Sequence, residues 1–329
     1  PEQDEADVPV NRFYAALTHT TKHVMAGLTS LGQLDNVVKM AEIIAGGAEK
    51  LQENPIISFI TCLVKSPLQF VDDTTETYIE ICKRGLPVVV SSSPQAGTSA
   101  PIKEAGILAL TNTGSAPGLA NVVVREAVEK LDSCDSIDMN VYEGVWSKKF
   151  IPFWWSPDVA FADMSEHPTR FENGRHIQTA PFANPVMMRF PGVEKEIRMV
   201  DHNHEEPVTM GLNAEKFLKG AKNIVFRYGG PHIELSEALY KMGFLSHEER
   251  EFKGFKYVPF DLVVDHAPAA PKYADEIKQI IDEGLYTEEG AFQVVVKGIK
   301  EGKPAAITVY VNAPGLIESF SKAGISHEA

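Results

Sequence analysis

Residues 106–125 contain a strand pattern, a glycine turn and a helix pattern in succession, and this order constrains the fold more than any other stretch. The apolar run that opens it predicts a buried strand. Ser115, shortly before a proline, predicts the N-cap of the following helix. Gly114 and Gly118 leave room for a ligand to approach the backbone. A helix N-terminus placed after a strand suits an anion, and the same pattern also fits a turn in which the glycines only pack.

Five segments occur in order along the later part of the chain: GSAPGLAN at 114–121, WWSP at 154–157, FENG at 171–174, HEEPVT at 204–209 and NIVFRYGG at 223–230. They resemble the second domain of saccharopine dehydrogenase-like oxidoreductases, over about residues 103–329. The resemblance implies a domain that binds an amino-acid or imine substrate and forms a homodimer. It also implies hydride transfer with a nicotinamide cofactor, NAD or NADP.

These segments predict a site for a small amine or amino-acid substrate. Arg227 is expected to pair a substrate carboxylate as a bidentate fork. Trp155 is expected to form an apolar wall, and His204 with Glu205 to orient polar substrate groups. Gly114 and Ser115 are the expected cofactor contacts, and no residue is assigned as a general acid or base. The full set of predicted substrate contacts is Ser115, Gly118, Asn121, Trp155, His204, Glu205 and Arg227.

The first third of the chain alternates strand and helix patterns. Strands are predicted at 13–17, 55–64 and 87–90, with helices at 36–51 and 72–84 between them. Such alternation predicts parallel βα units, which place the loops after each strand on one ligand-binding face. Two of those loop residues, His19 and Lys22, can be a proton donor and an anion contact, or simply part of a polar loop.

The same third contains FYAALTHTTKH at 13–23, AGGAEKL at 45–51, NPIISFIT at 54–61, SPL at 66–68 and QAGTSAPI at 95–102. These segments resemble the trimethylamine/glycine-betaine methyltransferases, over roughly residues 10–102. The resemblance implies a TIM barrel that passes a methyl group from an amine to a corrinoid protein partner. The stretch offers about three βα units, whereas a closed barrel needs eight.

Two ligand signatures are weak in this sequence. No G-x-G-x-x-G follows the first predicted strand, so nicotinamide binding is expected to be weak. His202, His204 and Glu206 form a set that is chemically adequate for a metal, with both histidines on one face if they lie on a strand. No H-E-x-x-H or comparable signature accompanies the set, so we predict no metal and a hydrogen-bonding role instead.

Charge and composition exclude several classes of partner. The formal net charge is −14 with a pI near 5.2, which disfavours general nucleic-acid binding. No apolar run reaches the length of a membrane span and no secretory signal is visible, so we expect no membrane partner. The three cysteines form no disulfide framework, and a cytoplasmic location is predicted.

We therefore predict an α/β protein in which parallel βα units precede an α+β domain with a mixed or antiparallel sheet. Residues 1–110 form the βα segment, similar to a methyltransferase barrel or to part of a nucleotide domain, and residues 111–329 form the substrate and dimerisation domain. Three functions stay open. They are an oxidoreductase acting on an amino-acid-derived imine or amine, a corrinoid-dependent amine methyltransferase, and a catalytically incomplete fused or truncated chain.

Overall fold

The structure, a computed structural model, describes residues 114–271 and 274–311, together with residues 103–106, 112, 315 and 317 and the backbone of 88–89 and 109–110. The chain divides into two compact units, Pro1–Leu119 and Ala120–Ala329. The elements predicted between residues 13 and 84, with His19 and Lys22, lie outside the described residues. The predicted domain boundary after residue 110 stays a prediction.

Two short strands belong to the first unit. They are β1, Val88–Val89, and β2, Ala109–Leu110, and they pair in parallel with Val88 opposite Ala109. Both strands fall inside the apolar runs from which they were predicted. Their parallel pairing is the arrangement that the βα alternation indicated.

The helix after the glycine turn begins later than predicted. Helix α1 spans Leu119–Glu129, and Ser115 lies exposed in the turn instead of at the N-cap. The Gly114 amide donates to the Pro117 carbonyl at 2.8 Å, and the Leu119 amide donates to the Gly114 carbonyl at 2.9 Å. The turn closes on its own backbone before the helix starts, which is the physical reason for the late start.

The second unit is built on an eight-stranded mixed sheet. The strand order is β12–β11–β3–β8–β4–β5, with β7 also pairing with β8 and β6 pairing with β7. Strands β3 and β8 are parallel, and all other pairs are antiparallel. The strand bounds are β3 Ser133–Ser147, β4 Thr169–Glu172, β5 Arg175–Gln178, β6 Val186–Met188, β7 Ile197–Asp201, β8 Asn223–Gly229, β11 Leu285–Lys300 and β12 Lys303–Val311.

The chain passes from β3 to β8 through a long crossover, and then builds helices and a small hairpin. The crossover contains β4–β7 and three helices: α2 Pro157–Ser165, α3 Glu206–Leu212 and α4 Ala214–Phe217. After β8 come α5 Pro231–Lys241, β9 Arg250–Phe252, β10 Phe255–Tyr257, α6 Pro259–His266 and α7 Ala274–Gly284. No helix in the described ranges is long and apolar enough to span a bilayer.

Hydrophobic periodicity explains why the C-terminal elements form where they do. Ile277 and Ile280, one turn apart on α7, are buried against Val145 and Trp154. Strands β11 and β12 pair antiparallel in unbroken register. The sequence pattern predicts a helix at 274–284 and an antiparallel pair of strands at 292–298 and 305–312. Both are confirmed, as is the α/β fold class with its mixed sheet.

A row of polar side chains, buried at its centre and exposed at Tyr310, crosses five adjacent strands. The strand register places Asp201 opposite Arg227, Arg227 opposite Asn140, Asn140 opposite Gln293 and Gln293 opposite Tyr310. Asn140 and Gln293 are 0% and 6% exposed, so the row runs through the interior of the sheet. Buried polar groups are tolerated when they are paired, and hydrogen bonds link Arg227, Asn140, Gln293 and Tyr310 in succession. Asp201 and Arg227 form an ion pair at 4.0 Å, in which Asp201 Oδ1 and Arg227 Nε have no hydrogen bond.

Candidate functional site

The segment that follows β7 places two histidines beside β8. Strand β7 ends at Asp201, so His202 and His204 lie in the connection to α3, and the shared strand face considered for them does not apply. The His202 amide donates to the Phe226 carbonyl at 3.1 Å, which holds the connection against β8. The two imidazole rings still come together, with centroids 5.8 Å apart.

His204 lies in an ion pair with a buried carboxylate. Its ring stacks on Phe226 at a centroid distance of 4.2 Å, and its Nδ1 contacts the Glu206 carboxylate, which is 0% exposed. Glu205 Oε2 lies 3.5 Å from the same nitrogen. Burial opposes protonation of His204, but Glu206 and then Glu205 outweigh it and raise the pKa of the imidazole. The arrangement favours an imidazolium.

His202 has the opposite character. It is 5% exposed and its ring lies 5.1 Å from the Tyr228 ring. Burial lowers the pKa of His202 well below its ordinary value, and the neighbouring His204 and His232 lower it further. His202 is therefore a neutral imidazole placed beside a charged one.

A carboxylate, a phenol and an imidazole meet on the same side of the sheet. The Tyr228 hydroxyl donates to the Glu143 carboxylate and lies 3.3 Å from His232 Nε2. His232 Nε2 is 3.5 Å from Glu143 Oε2. Tyr228 and His232 are 7% and 4% exposed, so this group is almost wholly removed from water.

Trp155 joins this group through edge-on ring contacts. Its ring centroid lies 6.2 Å from that of Tyr228 and 5.8 Å from that of His232. Phe153 packs behind His232 at 5.6 Å. We call His202, His204, Tyr228, His232, Trp155 and the carboxylates around them the histidine cluster.

Asp163 on α2 is the carboxyl group that the sequence did not point to. Burial raises its pKa to about 7, with further increases from Glu205 and Glu166 and a partly compensating decrease from His204. A carboxyl group with this pKa exchanges its proton readily near neutral pH, as a general acid or base requires.

The histidine cluster has more carboxylates than cations. Its carboxyl groups are those of Glu143, Asp163, Glu205 and Glu206, and the raised pKa marks His204 as an imidazolium. Aromatic rings of Trp155, Tyr228 and Phe226 surround these charges. Anionic groups beside aromatic faces are the chemistry that recognises an organic ammonium group.

The structure separates Arg227 from the other predicted contacts. Arg227 and Tyr228 are successive residues of β8, so their side chains leave opposite faces of the sheet. Arg227 Nη1 lies 3.4 Å from Asn140 Oδ1 and 3.7 Å from Asp138 Oδ1. The predicted Trp155, His204 and Glu205 do come together, through Tyr228 and His202, on the other face.

The remaining predicted contacts lie near the unit boundary. Ser115, Gly114 and Gly118 belong to the first unit, and Asn121 lies in the first turn of α1. The amides of Gly114 and Leu119 are both consumed inside the turn, so they do not fit the phosphate of a dinucleotide. Gly118 has φ +137°, and an added Cβ would overlap the Gly114 carbonyl oxygen.

One group in the described part of the chain has the composition of a metal site. Ligand atoms of His204, Glu205 and Glu206 all lie within 4.8 Å of one another. The His204–Glu206 ion pair engages Nδ1, one of the two ring nitrogens that could bind a metal. Imidazole binds metals in its neutral form, so the raised pKa of His204 works against a metal here.

Sequence reasoning missed Glu143, Asp163, Tyr228 and His232. Asp163 carries one signal, because it is a lone acidic residue in the otherwise apolar stretch Val-Ala-Phe-Ala-Asp-Met of α2. His232 carries another, since it follows two glycines at the start of a helix. Their meeting depends on the β3–β8 pairing, which no local pattern specifies.

Comparison with known proteins gives two different matches. Residues 6–130 match the family model described as trimethylamine methyltransferase (MTTB). The chain is 38% identical over 103 residues to trimethylamine methyltransferase MttB of Desulfitobacterium hafniense, which is 31% of this chain and 21% of that protein. It is 25% identical over 264 residues to carboxynorspermidine synthase of Vibrio alginolyticus, which is 78% of this chain and 59% of that enzyme.

Two solved structures also resemble the fold at 12% identity. Saccharopine dehydrogenase (L-Glu forming) of Saccharomyces cerevisiae gives a TM-score of 0.42 over 72% of this chain and 68% of that one. Homospermidine synthase of Legionella pneumophila, solved in complex with NAD, gives a TM-score of 0.47 over 77% of this chain and 62% of that one. Both sequence resemblances are confirmed. The chain spans only about a fifth of the methyltransferase relative and less than two thirds of the carboxynorspermidine synthase.

Proposed function

We propose that the unit Ala120–Ala329 binds the amine or imine substrate of an oxidoreductase similar to carboxynorspermidine synthase and saccharopine dehydrogenase. One observation carries the proposal, namely the excess of carboxylates over cations in the histidine cluster. The similarity to carboxynorspermidine synthase supports it, because carboxynorspermidine is itself a carboxylated polyamine.

Linear diamines and amino-acid-derived imines are the substrate class that suits this charge pattern. An ammonium group can take the place of a missing cation beside Glu205 and Asp163, and methylene groups can lie on the Trp155 ring. The partly exposed members, His204 at 19% and Glu205 at 42%, are the ones that a ligand in solution would meet first.

Asp163 is the residue that we expect to hold a transferable proton. Its pKa of about 7 allows it to accept a proton from an ammonium group on binding and to return it to a nitrogen later. The positive charge of His204 partly offsets the burial that raises the pKa of Asp163.

A nicotinamide group would supply the hydride in such a reaction. We propose NAD or NADP as the cofactor on the strength of the family resemblance alone, since the described residues supply no cradle for its phosphates. Binding is expected to be weak. A homodimer is a further proposal that follows from the same resemblance, and a cytoplasmic location is a proposal that rests on the cysteine pattern.

Calorimetric titration with putrescine as the probe tests the proposal. We expect binding to the wild-type protein and at least about tenfold weaker binding to Glu205→Gln, as for a lost charge-assisted hydrogen bond. Glu196→Gln is the matched control, because Glu196 is a similarly exposed carboxylate paired with Arg189 outside the histidine cluster. Equal putrescine affinity in all three proteins, or no binding to any of them, contradicts the proposal.

The match of residues 6–130 favours a second candidate function. A corrinoid-dependent methyltransferase would bind trimethylamine or glycine betaine through that segment and would need a corrinoid protein as partner. Titrations with trimethylamine and with glycine betaine separate the two candidates. A chain that binds none of these amines and neither NADH nor NADPH would correspond to the third alternative, a catalytically incomplete fusion or fragment.

A further inference from the structure

Glu143, Tyr228 and His232 reach one another from three separate elements, β3, β8 and α5. The Tyr228 hydroxyl donates to the Glu143 carboxylate. His232 Nε2 lies 3.3 Å from the Tyr228 hydroxyl oxygen and 3.5 Å from Glu143 Oε2. The Glu143 side chain is 14% exposed. A carboxylate this poorly hydrated is costly to place in a fold unless it is hydrogen-bonded.

The backbone between β8 and α5 allows these three side chains to come into contact. Gly230, which links β8 to α5, has φ +146°. An added Cβ there would overlap the Glu143 carbonyl oxygen and would lie 3.3 Å from His232 Nε2. Only glycine permits so close an approach of the start of α5 to β3. The close approach of the backbone at Gly230 to β3 therefore brings the three side chains together.

These three side chains help to fix the position of the Trp155 ring. Trp155 meets Tyr228 and His232 edge-on, with interplanar angles of 67° and 80°. Trp155 also packs against the apolar cluster of Val145, Trp154 and α7. Trp155 lies in an irregular stretch of chain, so these contacts, and not a helix or strand, fix its ring.

We propose that Glu143 is a positioning residue, which holds the Trp155 ring at the substrate site through its hydrogen bond with Tyr228 and its contact with His232. This inference rests on the proposed function, in which Trp155 forms the wall against the methylene groups of the amine. Glu143 acts through the hydrogen bond that it accepts. An uncharged acceptor of the same shape should therefore serve the same purpose.

Fluorine NMR of protein labelled with 5-fluorotryptophan tests this inference directly. The chain has three tryptophans, and a Trp155→Phe variant assigns the Trp155 resonance. We expect Glu143→Ala to move or broaden that resonance and to weaken putrescine binding about tenfold, the effect of losing one charge-assisted hydrogen bond. Glu143→Gln should leave the Trp155 resonance close to its wild-type position, because its amide oxygen still accepts from Tyr228.

Glu289→Ala is the matched control. Glu289 also accepts a hydrogen bond from a tyrosine on the same sheet, with Tyr142 Oη at 2.9 Å, and its loss should leave the Trp155 resonance in place. Tyr228→Phe provides an independent reading if Glu143→Ala does not fold, and it should move the same resonance.

The outcomes separate this inference from the proposed function. A Trp155 resonance that is unchanged in Glu143→Ala or Tyr228→Phe overturns the inference, even if putrescine binds to the wild type. A resonance that moves in those variants, in a protein that binds no putrescine, keeps the positioning role and overturns the proposed function. A Trp155 resonance displaced equally in Glu143→Gln and Glu143→Ala would mean that the charge of Glu143, and not its hydrogen bond, positions the ring, which also overturns the inference.

Discussion

Asn140 and Gln293 lie opposite each other in the buried part of the sheet, and Asn140 Nδ2 donates to Gln293 Oε1 at 3.1 Å. Asn140 Oδ1 also accepts from Arg227, and Gln293 Nε2 donates to Tyr310 at 3.0 Å. The pair is thus the middle of the polar row, and each amide is satisfied by its neighbours on both sides.

Asn140→Leu should destabilise the protein by about 2 kcal/mol, because it leaves the buried Gln293 Oε1 without its donor and removes the acceptor of the Arg227 hydrogen bond. The free energy of unfolding in urea measures the effect. The double variant Asn140→Leu/Gln293→Leu should recover part of the loss, since it removes both members of the pair. Ser136→Ala, at a partly exposed position of β3, is the control and should change stability little. Additive losses in the double variant would contradict the coupling.

Asp163→Asn should stabilise the protein at alkaline pH. The pKa of Asp163 is about 7 in the folded chain and 3.8 for an ordinary aspartate, so the wild type loses stability as pH rises from about 4 to 7. Asparagine does not ionise, and the variant should exceed the wild type by about 2 kcal/mol at pH 8 and by much less at pH 4. Asp265→Asn, at an 82% exposed side chain, should show no such trend.

Glu206→Gln should lower the pKa of His204, because it removes the strongest of the carboxylates that oppose the cost of burial. The stability that the pair contributes in the wild type is present at low pH and is lost as pH rises through the raised pKa of His204. Imidazole NMR titration measures the shift directly. Glu205→Gln should produce a smaller decrease, since its oxygen lies 3.5 Å away. An unchanged titration in Glu206→Gln would show that the ion pair does not control His204.

Protein purified without chelator should contain no stoichiometric metal at His202, His204 and Glu206. The ligand nitrogen of His204 is engaged by Glu206, and protonation competes with a metal. Elemental analysis is the measurement. One equivalent of zinc or iron that disappears in His204→Ala would refute the expectation.

Gly118→Val should disturb the turn that it occupies. Its φ of +137° strains any other residue, and an added Cβ overlaps the Gly114 carbonyl oxygen. Thermal unfolding should therefore show a lower midpoint for Gly118→Val and a smaller decrease for Gly118→Ala. Gly290→Ala is the control, because a Cβ there meets only one backbone oxygen at 3.5 Å. A Gly118→Val protein with the wild-type midpoint would exclude a structural role for this glycine.

Local sequence patterns predicted those elements in which apolar residues recur at a clear spacing. Helix α7 begins and ends at the predicted residues, because its apolar side chains recur at helical spacing. The Asn-Gly dipeptide at 173–174 is typical of a two-residue hairpin turn, and both residues adopt positive φ between β4 and β5. The start of α1 was not, because Ser115 has the right chemistry for an N-cap but lies in a turn closed by its own backbone.

In the candidate site, local sequence patterns predicted some of the residues and missed others. His204, Glu205 and Trp155 were predictable as chemistry-bearing residues, and they do come together. Arg227 was grouped with them, although the alternation of side chains along β8 sends it to the opposite face from Tyr228. Glu143 and Asp163 join the cluster through pairings between residues far apart in sequence, and single-sequence patterns do not encode such pairings.

The parallel pairing of β3 with β8 has a consequence for how this site can be inherited. Every named member of the histidine cluster lies between Glu143, near the end of β3, and His232, just after β8. Two adjacent strands thus bound one contiguous stretch of gene that carries the whole constellation. A recombination event with breakpoints outside residues 143–232 would transfer the whole histidine cluster, whatever domain came to precede it.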